Sequence, residues 1–202
     1  KHEITIAQRL RAQCYRTAIF GKWPLGSRPV SHPMLFGFET FRGCLHGGID
    51  YQSHVNRYGT ADWWHDEKAV TEAGYAGDLL TDHAVRFIRD HQDEPFFIYL
   101  PHTSIHFPWM APADKAYREV GKTYLDLARV GPHQGKKVTE VVAAMIENLD
   151  QSVGRIAATL RENKLERDTL IFFTSDNGGC TAYPGVEGPI SDNGPDRKST
   201  RL

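Results

Sequence analysis

The chain of 202 residues and 22.8 kDa has the length of about one ordinary domain. Its apolar fraction of 40%, charged fraction of 24% and aromatic fraction of 11% sit near globular averages, which excludes collagen, coiled coil and wholesale disorder. Twenty-four basic residues against 25 acidic ones leave a formal charge of -1 with no recurring basic stripe, so neither nucleic acid nor an anionic membrane is indicated as a partner.

In chain order, Ile4, Ile6, Ala7 and Leu10 form a short amphipathic stripe that predicts a helix, and Thr17-Ala18-Ile19-Phe20 predicts a strand stopping at Gly21. From Gly26 to Gly77 the text is rich in Gly, Pro, His, Asp and Trp with no sustained period, and reads as a long functional excursion. Leu80, Ala84, Phe87 and Ile88 follow helical spacing and lead into Phe96-Phe97-Ile98-Tyr99-Leu100, a continuously apolar run expected to be a buried strand. After a second irregular stretch, Val138, Val142, Met145, Leu149, Val153, Ile156 and Leu160 mark one face of a long helix. Leu170-Ile171-Phe172-Phe173-Thr174 then predicts a third buried strand, ending in Ser175-Asp176-Asn177-Gly178-Gly179. Repeated helix-to-strand units with unalternating strands imply an α/β fold: a mostly parallel sheet with helices on both faces. Polar residues gather after each strand, where open α/β sheets place their ligands. No apolar run approaches the roughly 18–20 residues of a membrane span. Cys14, Cys44 and Cys180 form no CxxC pair and fix no redox compartment.

The strand ends carry a resemblance. Gly21-Lys22-Trp23-Pro24-Leu25-Gly26, then Phe96-Phe97-Ile98-Tyr99-Leu100-Pro101 running to His106-Phe107-Pro108, then Thr174-Ser175-Asp176-Asn177-Gly178-Gly179 resemble, in this order, successive signature blocks of the type I sulfatases. The likeness extends from Ile4 to Pro195, and Gly37-Phe38-Glu39-Thr40-Phe41 and Gly48-Ile49-Asp50-Tyr51 are similar to segments of arylsulfatase-like members acting on sulfated sugars. It implies an alkaline-phosphatase-like sulfatase core incomplete at both ends, with residues 1–195 the central part of a catalytic domain and residues 196–202 a non-native or disordered tail. The start at Lys1, already inside a periodic pattern, agrees with a chain opened part-way. The implied activity of the intact parent is hydrolysis of a sulfate ester on a sulfated small molecule or glycan, in the periplasm or outside the cell.

The resemblance assigns roles residue by residue. Lys22 matches the lysine that contacts the sulfate, where a fixed cation offsets the charge of the sulfuryl group. By residue type alone it is a surface lysine after a strand. His106 matches the histidine that meets the ester oxygen, a duty suited to imidazole, although a lone loop histidine is ordinarily just exposed. His102, four residues upstream, matches no family position and reads as structural or solvated. Asp176 and Asn177 match metal ligands: adjacent carboxylate and amide oxygens suit a hard divalent cation, calcium in most members, and otherwise make an Asx turn. Two residues cannot fill a site of 6–8 oxygens.

Three departures stand out. Pro24 occupies the place of a family histidine and can neither accept nor donate a side-chain proton. The family nucleophile is a formylglycine made from a Cys-x-Pro/Ala-x-Arg motif, and none of Cys14, Cys44 and Cys180 has arginine four residues on, so the chain alone is expected to be inactive. After Pro195 the match stops, so Lys198 is not equated with the second family lysine. Two other readings stay open: a phosphoesterase or phosphonate hydrolase of the same superfamily, and a non-catalytic sulfatase-like glycan binder, for which Trp63 and Trp64 offer stacking surfaces if they are not simply packed.

Overall fold

The computed structural model describes residues 3–124, 131–133, 137–182, 186 and 189–192. Helix α1 (Ile6–Arg11) is short and opens on a capping box, in which Thr5 Oγ1 accepts from the Gln8 N–H at 3.1 Å and Gln8 Oε1 accepts from the Thr5 N–H at 3.0 Å. Of its expected stripe only Ala7 is buried, while Ile4 and Ile6 are exposed. Strand β1 (Arg16–Lys22) follows and is buried on both faces: Ala18 and Phe20 join one core, Ile19 the other. That two-sided burial is why the run shows no alternation.

The long excursion contains more order than its composition suggests. It holds two 3-10 turns, Pro29–Ser31 and Pro33–Phe36, and the strands β2 (Thr40–Cys44), β3 (Trp64–His65) and β4 (Lys68–Ala69). Helix α2 (Ala76–Asp90) buries Leu80, Ala84, Phe87 and Ile88 as its spacing predicts, and feeds β5 (Phe96–Tyr99). The sheet order is β4-β3-β2-β1-β5. Strands β2 and β5 both run parallel to β1, with Ala18 opposite Thr40 on one side and Ile98 on the other; β3 and β4 add an antiparallel edge. The sheet is therefore mixed around a parallel centre. One face packs against α2 through Phe20, Leu80, Ala84 and Phe87; the other, with Ile19, Trp23, Phe38, Phe41 and Leu45, packs against α1.

Helix α3 (Lys137–Glu162) lies on α2. Val138, Val142, Met145 and Leu160 are buried as expected, but Val153 is 36% exposed. In the middle of the helix the contact face is polar: Asn148 Nδ2 donates to Asp78 Oδ1 at 2.8 Å, and Thr81 Oγ1 donates to Ser152 Oγ at 2.6 Å. Gly77 permits this closeness, since a Cβ there would lie 2.5 Å from Asn148 Oδ1.

The third strand is a correction. Leu170–Thr174 joins no ladder among the described residues, and Leu170, Ile171, Phe172 and Phe173 are 78%, 57%, 85% and 72% exposed. An apolar run records a tendency to be buried, whereas a strand also requires backbone partners; this run pairs with none among the described residues, although β5 ends the sheet with no neighbour on its outer side there. The expected tail, residues 196–202, and Lys198 lie outside the described residues.

Candidate functional site

Strand β1 delivers the first candidate. The Lys22 N–H donates to Pro101 O at 2.9 Å, in the loop after β5, and the Trp23 N–H donates to Cys44 O at 2.8 Å, at the end of β2. The backbone thus ties three strand ends together where Lys22 leaves the sheet. Glycine is required here: Gly21 (φ 144°) would place a Cβ 2.0 Å from Pro101 O, and Gly43 (φ 145°) one 2.0 Å from Gly21 O. Beyond the lysine, buried Trp23 anchors the turn by donating from Nε1 to Ser31 O at 2.7 Å, while Pro24 is exposed.

Lys22 Nζ lies 3.5 Å from Asp176 Oδ2, joining positions 154 residues apart. The lysine side chain is 20% exposed and the carboxylate 71%, so water screens the pair and it contributes at most about 1 kcal/mol. Its interest is placement rather than stability. Asn177 is exposed beside it, with Nδ2 donating to Gly178 O at 2.9 Å, which leaves the amide oxygen for a ligand. An all-oxygen donor set of carboxylate and amide fits a hard divalent cation and could supply part of its shell.

His106 sits in the loop after β5. Buried Tyr51 holds that loop, its hydroxyl lying 2.6 Å from Thr103 O and 3.0 Å from His106 O. The imidazole packs on Gly48, where a Cβ would come within 3.1 Å of Nδ1. Nδ1 is 2.6 Å from Phe107 O; a carbonyl can only accept, so Nδ1 carries the hydrogen and Nε2 is left for a ligand. Burial lowers the His106 pKa; the Phe107 carbonyl and Asp176 oppose this, and the Lys22 charge reinforces it. Lys22, Asp176 and His106 therefore feel one another electrostatically: the carboxyl ends of β1 and β5 place the lysine and the histidine, and Asp176 reaches them from the segment after α3. His102 points its nitrogens inward: Nε2 is 3.1 Å from Ser152 Oγ, Nδ1 is buried without a hydrogen-bond partner among the described residues, and burial pushes the pKa down to about 4.

Two further clusters escaped sequence reasoning. Beyond the end of β2 lies a cavity of about 240 Å³ whose lining includes Ser27, His46, Asn56, Asp62 and Trp64. Buried Asp62 accepts from the N–H groups of Leu45 and His46 at 3.0 and 2.9 Å and from Trp64 Nε1 at 2.9 Å, and its Oδ2 is 2.7 Å from His46 Nδ1. The Asp62 hydrogen bond raises the His46 pKa. Trp64 thus lines a cavity, whereas Trp63 is 1% exposed and stacked on His54, which removes it as a sugar platform. On the α2 side of the sheet, His65, Glu72 and His83 converge. Burial would raise the Glu72 carboxyl, but hydrogen bonds from Trp63, His83 and His65 outweigh it and hold its pKa at about 2. The spacings 65, 72 and 83 match no motif, because strand β3, the connection after β4 and helix α2 each supply one group.

Comparison with known proteins gives a consistent picture. A family model described as Sulfatase matches residues 1–198. The chain is 29% identical to an N-acetylgalactosamine-6-sulfatase of Sus scrofa and 30% identical to that of Rattus norvegicus, in each case over 96% of this chain and 36% of the relative. It is 25% identical to an arylsulfatase of Klebsiella aerogenes over 88% of this chain and 48% of that protein. Among solved structures, Ps i-CgsB in complex with k-i-k-neocarrahexaose superposes with a TM-score of 0.62 at 27% identity, covering 79% of this chain and 37% of that one. The chain thus spans about a third of the length of the N-acetylgalactosamine-6-sulfatases it matches. No helix among the described residues is long and apolar enough to cross a membrane.

Proposed function

Since this chain belongs to the sulfatase family, we propose that it carries the sulfate-binding half of an active site that hydrolyses a sulfate ester, on a sulfated carbohydrate in the intact parent. The observation that carries this reading is the meeting of Lys22 and Asp176 at 3.5 Å within the electrostatic reach of His106. Lys22, fixed at a strand end by the Pro101 carbonyl, offers its ammonium to a sulfuryl oxygen, where charge is present throughout the reaction. His106 presents Nε2 to the ester oxygen; when protonated, it donates to the departing alcohol. Asp176 and Asn177 hold part of the shell of a divalent cation, for which we favour calcium; bound there, it would add positive charge beside the sulfate. The cavity lined by His46, Asp62 and Trp64 has the mixed polar and aromatic lining that suits a sugar subsite. Relatives named for N-acetylgalactosamine-6-sulfatase activity and a structure holding a neocarrahexaose support a carbohydrate. Residues 1–195 are the central part of the catalytic domain in this reading, and export to the periplasm or exterior belongs to it through the family alone.

The chain by itself turns nothing over in this proposal, because no cysteine heads the nucleophile motif. A second reading, binding without catalysis, is favoured by one feature: exposed Pro24 stands where the family has a proton-carrying histidine. The test is hydrolysis of an aryl sulfate and an aryl phosphate by the parent protein, with and without Pro24→His. Sulfate turnover by the unaltered protein is expected and removes the binding-only reading; preferential phosphate turnover would assign it to a phosphoesterase instead.

A further inference from the structure

We propose that His65, Glu72 and His83 form a binding site for a transition-metal ion of the zinc class, separate from the oxygen ligands Asp176 and Asn177. One ligand atom from each of the three residues lies within 4.8 Å of the others. His65 Nε2 and His83 Nε2 each lie 3.0 Å from the same oxygen, Glu72 Oε2. Ligands about 2.0–2.2 Å from a tetrahedral zinc are roughly 3.3 Å apart, so each imidazole already stands near that spacing from the carboxylate, and the two imidazole nitrogens must settle to it to close around an ion. Two imidazoles and a carboxylate suit zinc, copper, nickel or cobalt and not calcium or magnesium.

The surroundings fix this geometry. Buried Trp63 donates from Nε1 to Glu72 Oε2 at 2.8 Å, occupying one lone pair and orienting the other. The His83 ring lies over Phe20 of β1 with centroids 6.3 Å apart, and the His65 ring meets it edge-on at 5.2 Å. The His65 and Glu72 side chains are 32% and 21% exposed, which gives an ion a way in and leaves room for a water as fourth ligand. With the ion absent, Nε2–H donation to Glu72 links the same atoms, so metal and proton compete for one geometry. Metal on His83 Nε2 puts the proton on Nδ1, which Arg86 Nη2 faces at 3.2 Å; this exposed guanidinium must then turn away. An ion here would tie the β3–β4 hairpin to α2.

The test is Co(II) titration of the full chain in metal-free buffer, followed by visible absorption and zinc competition. One Co(II) per chain with a tetrahedral-type spectrum, displaced by zinc, is expected. Affinity should fall more than about tenfold in His65→Asn and in His83→Asn, rise in Arg86→Ala and stay unchanged in Asp176→Asn. Because His65 is partly exposed, far-UV circular dichroism of His65→Asn shows that the fold is kept. No such spectrum, or the same affinity in folded His65→Asn, overturns the proposal, as does loss of the signal in Asp176→Asn.

Discussion

Two apolar runs of the same character meet different fates. Phe96–Tyr99 becomes β5 because Arg16–Ile19 of β1 offers it a parallel ladder, and the loop that follows is pinned by Tyr51 and by the Lys22 N–H. Leu170–Phe173 is at least as apolar, yet lies exposed with no ladder among the described residues. Hydrophobicity sets how much a segment gains by burial, whereas backbone partners decide where it can be buried. The site inherits this contrast. Lys22 and His106 stand on the pinned frame, whereas Asp176 and Asn177 stand on the exposed segment, from which Asp176 meets Lys22 in a screened ion pair.

The contrast can be broken most severely on the frame. Gly21→Ala must force a Cβ into the Pro101 carbonyl from a left-handed φ, and is expected to cost on the order of 4 kcal/mol or more, read as a fall in the urea midpoint. Phe20→Ala, at a residue 1% exposed, should cost about 3–5 kcal/mol. Titration of His102 sharpens the same boundary. Its folded pKa of about 4 lies below the unfolded value near 6.5, so its contribution is present above 6.5 and disappears as pH falls toward 4; at most about 3 kcal/mol is involved. His102→Asn should therefore flatten the loss of stability between pH 7 and 4, and a pH profile parallel to the unaltered chain would refute the assignment. At the small end, Phe172→Ser should shift stability by less than about 0.5 kcal/mol; a cost resembling that of Phe20→Ala would mean that the segment is packed.

Much of this was legible in the residues. The strands around Ile19 and Ile98 and the helices α2 and α3 follow from unalternating runs and helical spacing, because each faces a core large enough to impose a period. Strand β2 stayed hidden because Arg42 and Gly43 break its apolar pattern, and Gly43 is there for the close approach to Gly21. The middle of α3 misled for a related reason: Asn148 and Ser152 face α2 through hydrogen bonds, so Val153 was free to turn outward. Lys22, His106, Asp176 and Asn177 were nameable through family blocks. The Asp62–His46 pair and the His65–Glu72–His83 cluster were not, since folding alone brings their members together.

The functional claim rests on Lys22 acting on the sulfuryl group from the rigid frame. Its most direct test is kcat/KM for an aryl sulfate in the parent protein, unaltered and as Lys22→Ala. The account predicts a loss of about 100- to 1,000-fold with the fold intact. Turnover by a folded Lys22→Ala protein within a few-fold of the original would contradict it.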